Sequence, residues 1–384
     1  MERRVFVAGA LALTLAGPAA AQTKEPIRLA DVAELSGGGA TVGTNWKNGI
    51  DLAVAEINAK GGILGHRVEV THADSQSNPG VARAQVQKAL DADPYVLLGP
   101  GYSGSIKVTQ PLAKKAGIAE IHGGEAADLT QAGNEYTFRT SFGGQSSMPK
   151  VAKYIADEVK AKTVAIVWVN NDFGKGGRDV ISKEFAARGI KVVADLSTEA
   201  GQADFAADVG KVKAAAPDAV FVYVNEDESA RLLKELRRQD VKAPLIGETT
   251  LTGQKVIELA GEAANGARGH VGLTTDAPVP AIQEFRKRFS EKYNYVPDHN
   301  GIKGYLAVYV VKAVTEKMGK PDQQNFAKTL RGLTITPEQE PGILMEVSYD
   351  DKGDIDRQSF LVEVENGRQV VKQVLPKLGR SGTN

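Results

Sequence analysis

The sequence predicts an α/β protein in which two mainly parallel sheets are each flanked by helices. Between residues 27 and 273, short β-branched and apolar runs alternate with helix-length amphipathic segments. Strands separated by helices form right-handed βαβ units in parallel sheets. The series restarts after residue 142, so 27–142 and 143–273 read as two sheets. Two such sheets joined by short connections leave a cleft at the C-terminal ends of their strands, where open α/β sheets bind ligands.

The elements follow in order. Ile27 to Val32 reads as a strand, and Ile50, Val54 and Ile57 mark one face of a helix. Gly61-Gly62 ends that helix, because glycine accepts a left-handed cap. Val68 to Thr71 is a strand. Pro79 opens a helix running to about Leu90, as a first-turn proline can. Tyr95 to Leu98 is a buried strand, 105–116 a helix and Ile118 to Ile121 a strand.

In the second series, Val151 to Val159 is helical and Thr163 to Val169 has the continuous apolar character of a central parallel strand. Helix 177–188 precedes strand 190–197, and helix 204–215 precedes strand Ala219 to Val224. Helix 228–239 precedes Pro244 to Gly247. Helices over 281–293 and 302–318 follow, then a strand-rich tail with Val347 and Phe360 to Val364.

The first residues are an address. Arg3-Arg4 is a basic n-region, Val5 to Pro18 is largely apolar, and Ala19-Ala20-Ala21 offers a cleavage site before Gln22. This is the pattern of a secretory signal peptide, 1–21, with cleavage after Ala21. The apolar stretch is too short for a comfortable membrane anchor. Sec and twin-arginine export both remain open. The 384-residue chain has 47 Lys plus Arg and 47 Asp plus Glu, so it lacks the basic excess of a general nucleic-acid binder. It has no cysteine, which excludes thiolate nucleophiles, thiolate-held metals and a lipid-modified N-terminal Cys. An exported protein of this kind fits a Gram-negative periplasm.

Several motifs compete for the chemistry. Gly99-Pro100-Gly101-Tyr102-Ser103-Gly104 contains G-x-G-x-x-G after a strand. As a dinucleotide site it would use Glu120 as the ribose acid, but it lies at the third strand and the motif alone is weak. The other functional reading is an anion cradle of backbone amides with Ser103 and Ser105 hydroxyls at a helix N-terminus. A plain turn is the bland reading. His122-Gly123-Gly124-Glu125 follows the fourth strand. The five histidines form no zinc-hydrolase pattern, and no nucleophile elbow or phosphate loop appears. Asp350 to Asp354 hints at calcium but reads better as a turn. Asn170 to Gly174, Asn225 to Glu228 and Gly247 to Thr250 leave three successive strand ends of the second series. They are either a solvated rim or one wall of the cleft.

Leu35-Ser36-Gly37, GIDLAVAEINAKGG from Gly49 to Gly62, Asp74 to Pro79, Ser103 and Thr109-Gln110-Pro111 carry a resemblance. So do Leu129-Thr130, Tyr136 to Thr140 and Asp351-Lys352-Gly353-Asp354. In this order they resemble the leucine/isoleucine/valine-binding proteins of ABC importers. The resemblance implies a two-lobed, Venus-flytrap type I periplasmic fold, with three crossovers between lobes. The first lobe would hold 22–142 and 274–352, the second 143–273 and 353–384. It implies capture of a small solute and delivery to an ABC permease with ATPase subunits. No cofactor, metal, nucleic-acid partner or enzymatic activity is expected, and a monomer is. A hydrolase on the same scaffold and a sensory protein without transport are the rival readings.

Carried over residue by residue, the resemblance makes Ser103 the carboxylate-binding hydroxyl and Gly124 the carbonyl after the fourth strand. Glu125 falls where the family has a threonine, and Phe173 and Asn225 where it has tyrosines. The ammonium-pairing acid matches Thr249 or, with a one-residue slip, Glu248. Val42 stands for an aromatic wall residue, and Ser77 and Tyr102 replace the family's frequent disulfide. A buried Glu125 beside Ser103 would repel a carboxylate unless protonated or paired with a cation. The expected ligand is an amino acid or amino-acid-like solute, then an amide or urea-like solute, then an aromatic carboxylate.

Overall fold

A computed structural model describes residues 24–378. The expected signal peptide, 1–21, lies outside them. The first sheet is built from β1 (Ile27–Ala33), β2 (Val68–Asp74), β3 (Val96–Leu98), β4 (Glu120–His122) and β5 (Thr137–Arg139), all parallel, in the order β2-β1-β3-β4-β5. Helices α1 (Ala40–Ala59), α2 (Pro79–Leu90) and α3 (Ser103–Ala116) connect them. The chain then leaves for α4 (Gly144–Asp157), β6 (Thr163–Val169), α5 (Asp172–Ala187), β7 (Lys191–Thr198), α6 (Ala206–Ala215), β8 (Ala219–Tyr223) and α7 (Glu226–Arg238). It continues through β9 (Leu245–Gly247), α8 (Thr249–Thr252), α9 (Gln254–Ala260) and β10 (Arg268–Val271).

Next come α10 (Pro280–Tyr293), α11 (His299–Met318), α12 (Gln323–Leu330) and the short antiparallel strands β11 (Thr334–Ile335), β12 (Val347–Tyr349) and β13 (Ile355–Asp356). These pack with the first sheet: Phe285, Ile302, Tyr305, Phe326 and Tyr349 share one apolar core with Leu29, Ile50 and Val96. Finally β14 (Ser359–Glu365) and β15 (Arg368–Leu375) add antiparallel to β10. They complete a second sheet ordered β15-β14-β10-β9-β8-β6-β7. The fold is therefore the two-lobed α/β architecture that the alternating pattern predicts. Among the described residues, no helix is long and apolar enough to cross a membrane.

The differences from expectation have physical reasons. Helix α5 starts at Asp172 rather than 177, because Asn171 caps it: its Oδ1 accepts the Gly174 N–H at 2.8 Å. Glycines at 174, 176 and 177 disguise that first turn as a loop. Gly177 is needed there, since a Cβ would lie 2.1 Å from the buried Tyr223 ring. Strands β5 and β10 were not expected. They are short and carry Arg139, Arg268 and His270, which hide the apolar signal.

Candidate functional site

A cleft of about 540 Å³ opens where the strands of both sheets end. Its first wall is the loop after β3, the loop after β4 and the start of α11. Its second is the loop after β6 with the N-terminus of α5, and the loop after β8 with the N-terminus of α7.

Of the sequence-predicted residues, Tyr102, Ser103, Glu125, Phe173 and Asn225 line this cleft. Ser103 is buried at the first residue of α3, and its Oγ accepts the Ala126 N–H at 3.2 Å. That leaves its proton to donate. Phe173 stacks on Tyr223 with centroids 4.1 Å apart, so it presents a firm aromatic wall. Asn225 donates from Nδ2 to Glu228 Oε1 at 3.1 Å, which fixes the loop that bears it. Tyr102 donates its hydroxyl to the Gly38 carbonyl at 3.2 Å.

Three predicted residues sit behind the walls. The Gly124 carbonyl accepts from Ser141 Oγ at 3.0 Å and from Arg139 Nη1 at 3.3 Å, and Gly123 takes its place on the lining. Glu248 and Thr249 are both buried. The Glu248 carboxylate faces His270 Nδ1 at 2.6 Å and accepts from the Thr249 N–H and hydroxyl. Burial would raise the Glu248 carboxyl, but His270 and the hydrogen-bond donors hold it below the usual range. Its charge is thus spent inside the second lobe, and the cleft contact shifts to Thr250.

The Gly-rich loop also differs from expectation. Its amides do face a carboxylate, but it is the chain's own: Gly101 and Tyr102 N–H groups each donate to Glu34 at 3.0 Å. Burial pushes Glu34 up to about 7 despite these bonds. The anion cradle is filled from within. Glu120, the acid that a dinucleotide site would need, is fully buried and accepts from Thr109 Oγ1 at 2.7 Å. A nucleotide reading has no support left. Asp350 is a turn residue, accepting from the Lys352 and Asp354 amides at 2.8 Å.

Sequence reasoning expected the helix over 302–318 but missed the first turn of α11 and its place at the cleft. The Asp298 side chain caps it, and its first turns deliver His299, Asn300 and Lys303 to the cleft. Lys303 Nζ lies 2.7 Å from Glu125 Oε1, with both side chains buried. This supplies the cation that Glu125 requires, and it comes from the protein. Burial pushes Glu125 up against the opposing charge of Lys303. The signal was present: a lysine at the start of the apolar helical segment 302–318. Also missed was Glu226, buried and on the second wall, which burial pushes up to about 8.

Some lining atoms have no partner. Ser105 Oγ, Thr250 Oγ1 and His299 Nδ1 are buried in the cleft wall without a protein hydrogen bond. Burial and the Lys303 charge keep His299 well below the usual range, so it is neutral. Buried polar atoms are nearly always satisfied. All three belong to residues that line the cleft.

Two α/β lobes enclosing a cleft at their strand ends, lined by buried polar groups, are the arrangement of a solute-binding protein. The chain belongs to the periplasmic binding protein family, whose model matches residues 26–369. It is 30% identical over 349 residues to the Leu/Ile/Val-binding protein BraC3 of Rhizobium johnstonii, covering 89% of this chain and 92% of that one. It is 26% identical to the Leu/Ile/Val/Thr-binding protein of Salmonella typhimurium, over 92% and 94% of the two chains. Among solved structures, the branched-chain amino acid transporter substrate-binding protein LivJ of Streptococcus pneumoniae, in complex with isoleucine, superposes with a TM-score of 0.82 at 25% identity. That match covers 92% of this chain and 99% of the other. A benzoate-bound solute-binding protein of R. palustris shares the fold with a TM-score of 0.84 at 20% identity, over 92% and 97%. Both of these structures are named as substrate- or solute-binding proteins of transporters.

Proposed function

We propose that this protein captures an amino acid or amino-acid-like solute between its lobes in the periplasm and hands it to an ABC permease with its ATPase subunits. One observation carries the reading of a polar solute: Ser105 Oγ, Thr250 Oγ1 and His299 Nδ1 are buried and unpartnered in the same cleft. The names of the curated relatives support the amino-acid class. The solute carboxylate would accept from the Ser103 hydroxyl and from a Lys303 N–H not used by Glu125. Phe173 and Tyr102 would flank the side chain, and Asn225 and Thr250 would close from the second wall. Gly124, Glu248 and Thr249 would shape the walls from behind.

The lobes we propose are 22–142 with 274–352, and 143–273 with the tail. Ile355 and Asp356 pair with β12. Cleavage after Ala21 and a monomeric mature protein belong to the same reading.

The test is the melting temperature of residues 22–384, unfolded and refolded to strip bound solute, against amino acids, amides, ureas and aromatic acids. A ligand at about 1,000 times its Kd stabilises the folded state by about 4.1 kcal/mol. A rise of several degrees with amino acids supports the reading. A rise only with aromatic acids or amides overturns the ligand class.

A further inference from the structure

The cleft holds more acid than it can neutralise. Glu125 has Lys303. Glu228 accepts from the Gly201 amide at 2.5 Å and from Asn225. Glu34 has two amides and Glu248 has His270. Glu226 has none of these. It is the first residue of α7, only 8% exposed, on the second wall, with no ion pair and no hydrogen bond from any other residue among the described residues. An unpaired carboxyl buried at a ligand cleft is costly unless it is neutral or a ligand pairs it.

We propose that Glu226 is the cation contact of this cleft, and that seating a solute's amino group against it displaces a proton from the site. This rests on the proposed capture of an amino-acid-like solute and names the residue that recognises its ammonium.

The surroundings explain why the empty site keeps the proton. Burial acts first, and the nearby charges of Asp298 and Glu125 add to it, with Lys303 opposing. Groups lining the same cleft are Tyr102, which precedes α3, and His299 and Lys303 on α11, with Asp227, Glu228 and Arg231 on Glu226's own helix. Of these, Tyr102 is held far above neutrality and His299 is uncharged. Asp298 sits at about 6 and caps α11, so it is ionised above pH 7. One lysine thus serves two carboxyls, and the second stays protonated until a ligand brings a positive charge. The bound ammonium favours the carboxylate, so affinity rises with pH up to about 8, at close to tenfold per unit for one proton.

Calorimetry at pH 7.0 and 8.0, in phosphate and in Tris, tests this on the refolded mature protein. The probes are L-leucine, its deaminated analogue 4-methylpentanoate and its decarboxylated analogue 3-methylbutylamine. The difference in heat between buffers counts protons. Wild type should release close to one proton on binding leucine at pH 7.0, and 4-methylpentanoate should bind weakly without release. Glu226→Gln should bind leucine about 10- to 100-fold more weakly, lose the release and lose the pH dependence. Its melting temperature without ligand should not fall, which separates recognition from folding.

Leucine binding without proton release, or Glu226→Gln with unchanged affinity and release, overturns the assignment while leaving amino-acid capture standing. So does 4-methylpentanoate binding as tightly as leucine. Failure of all three probes and of the other protein amino acids on wild type removes the amino-acid reading, and the inference with it.

Discussion

At the scale of single residues, the cleft is decided by which polar atoms are already spoken for. Ser103 is partly free: its Oγ accepts from Ala126 and can still donate. Ser103→Ala removes that donor and should weaken solute binding by about 1–3 kcal/mol. Calorimetry showing unchanged affinity would remove Ser103 from the contact set. Lys303 is a harder case, because it serves both Glu125 and the proposed carboxylate. Lys303→Met leaves Glu125 buried without its cation, which costs roughly 3–5 kcal/mol unless the carboxyl takes up a proton. A lone buried carboxyl binds its proton more tightly folded than unfolded, so its penalty grows as pH rises above about 4.5. The variant should therefore lose more stability than wild type between pH 5 and 8. Adding Glu125→Gln should restore much of it without restoring affinity. Equal pH profiles for wild type and Lys303→Met would contradict the pairing.

At the scale of elements, α11 brings this chemistry to the cleft, and it does so by packing close to α1. A Cβ on Gly49 of α1 would sit 2.0 Å from the Gly301 carbonyl, and one on Gly304 of α11 would sit 2.1 Å from that of Trp46. Each is a backbone clash that no rotamer relieves. Gly304→Ala should force the helices apart and cost about 1–3 kcal/mol. Lys303 is the adjacent residue, so solute affinity should fall too. Denaturant unfolding and calorimetry on one preparation check both. A stable variant with native affinity would mean that the crossing is looser than these distances imply.

The helices show how far the sequence could be read. Alternation exposed β1 to β4 and the elements from α4 to β9, because buried parallel strands and amphipathic helices each leave their own period. It did not expose β10, whose Arg268, Gly269 and His270 break the pattern, or the first turn of α11, whose polar residues look like loop. The cleft was legible where it follows strand ends, as with Ser103, Phe173 and Asn225. Lys303 and Glu226 were not, because the pairing of distant acids and bases appears only once the chain is folded.

At the scale of the whole molecule, one ion pair spans the cleft near its lining. Lys107 of α3 reaches Asp172 of α5 at 2.5 Å, but the two side chains are 32% and 44% exposed. Such a pair contributes at most about 1 kcal/mol. Stability itself should follow pH in a direction set by the buried acids. Burial lifts Glu34 to about 7 and Glu120 to about 8, from the ordinary value near 4.5. His72 would be lowered by its burial, but Asp31 at 2.7 Å and Asp51 at 2.9 Å lift it to about 9.

All three groups bind protons more tightly when folded. Their contribution is complete below their unfolded values, near 4.5 for the two carboxyls and 6.5 for His72, and is lost as pH rises from there to about 7, 8 and 9 respectively. In the other direction, burial holds His122 and His299 neutral, and their contribution is lost as pH falls below about 6.5. Asp51, held at about 2, adds a loss only below about pH 4. Above about pH 6.5 no buried group among these gains, so the ligand-free melting temperature should fall by roughly 5–10 °C toward pH 9. Glu120→Gln, which removes the titrating carboxyl beside Thr109, should flatten the alkaline limb. A melting temperature that climbs steadily from pH 6 to 9 would show that these acids are ionised in the folded protein, and that the cleft carries its negative charge unprotonated.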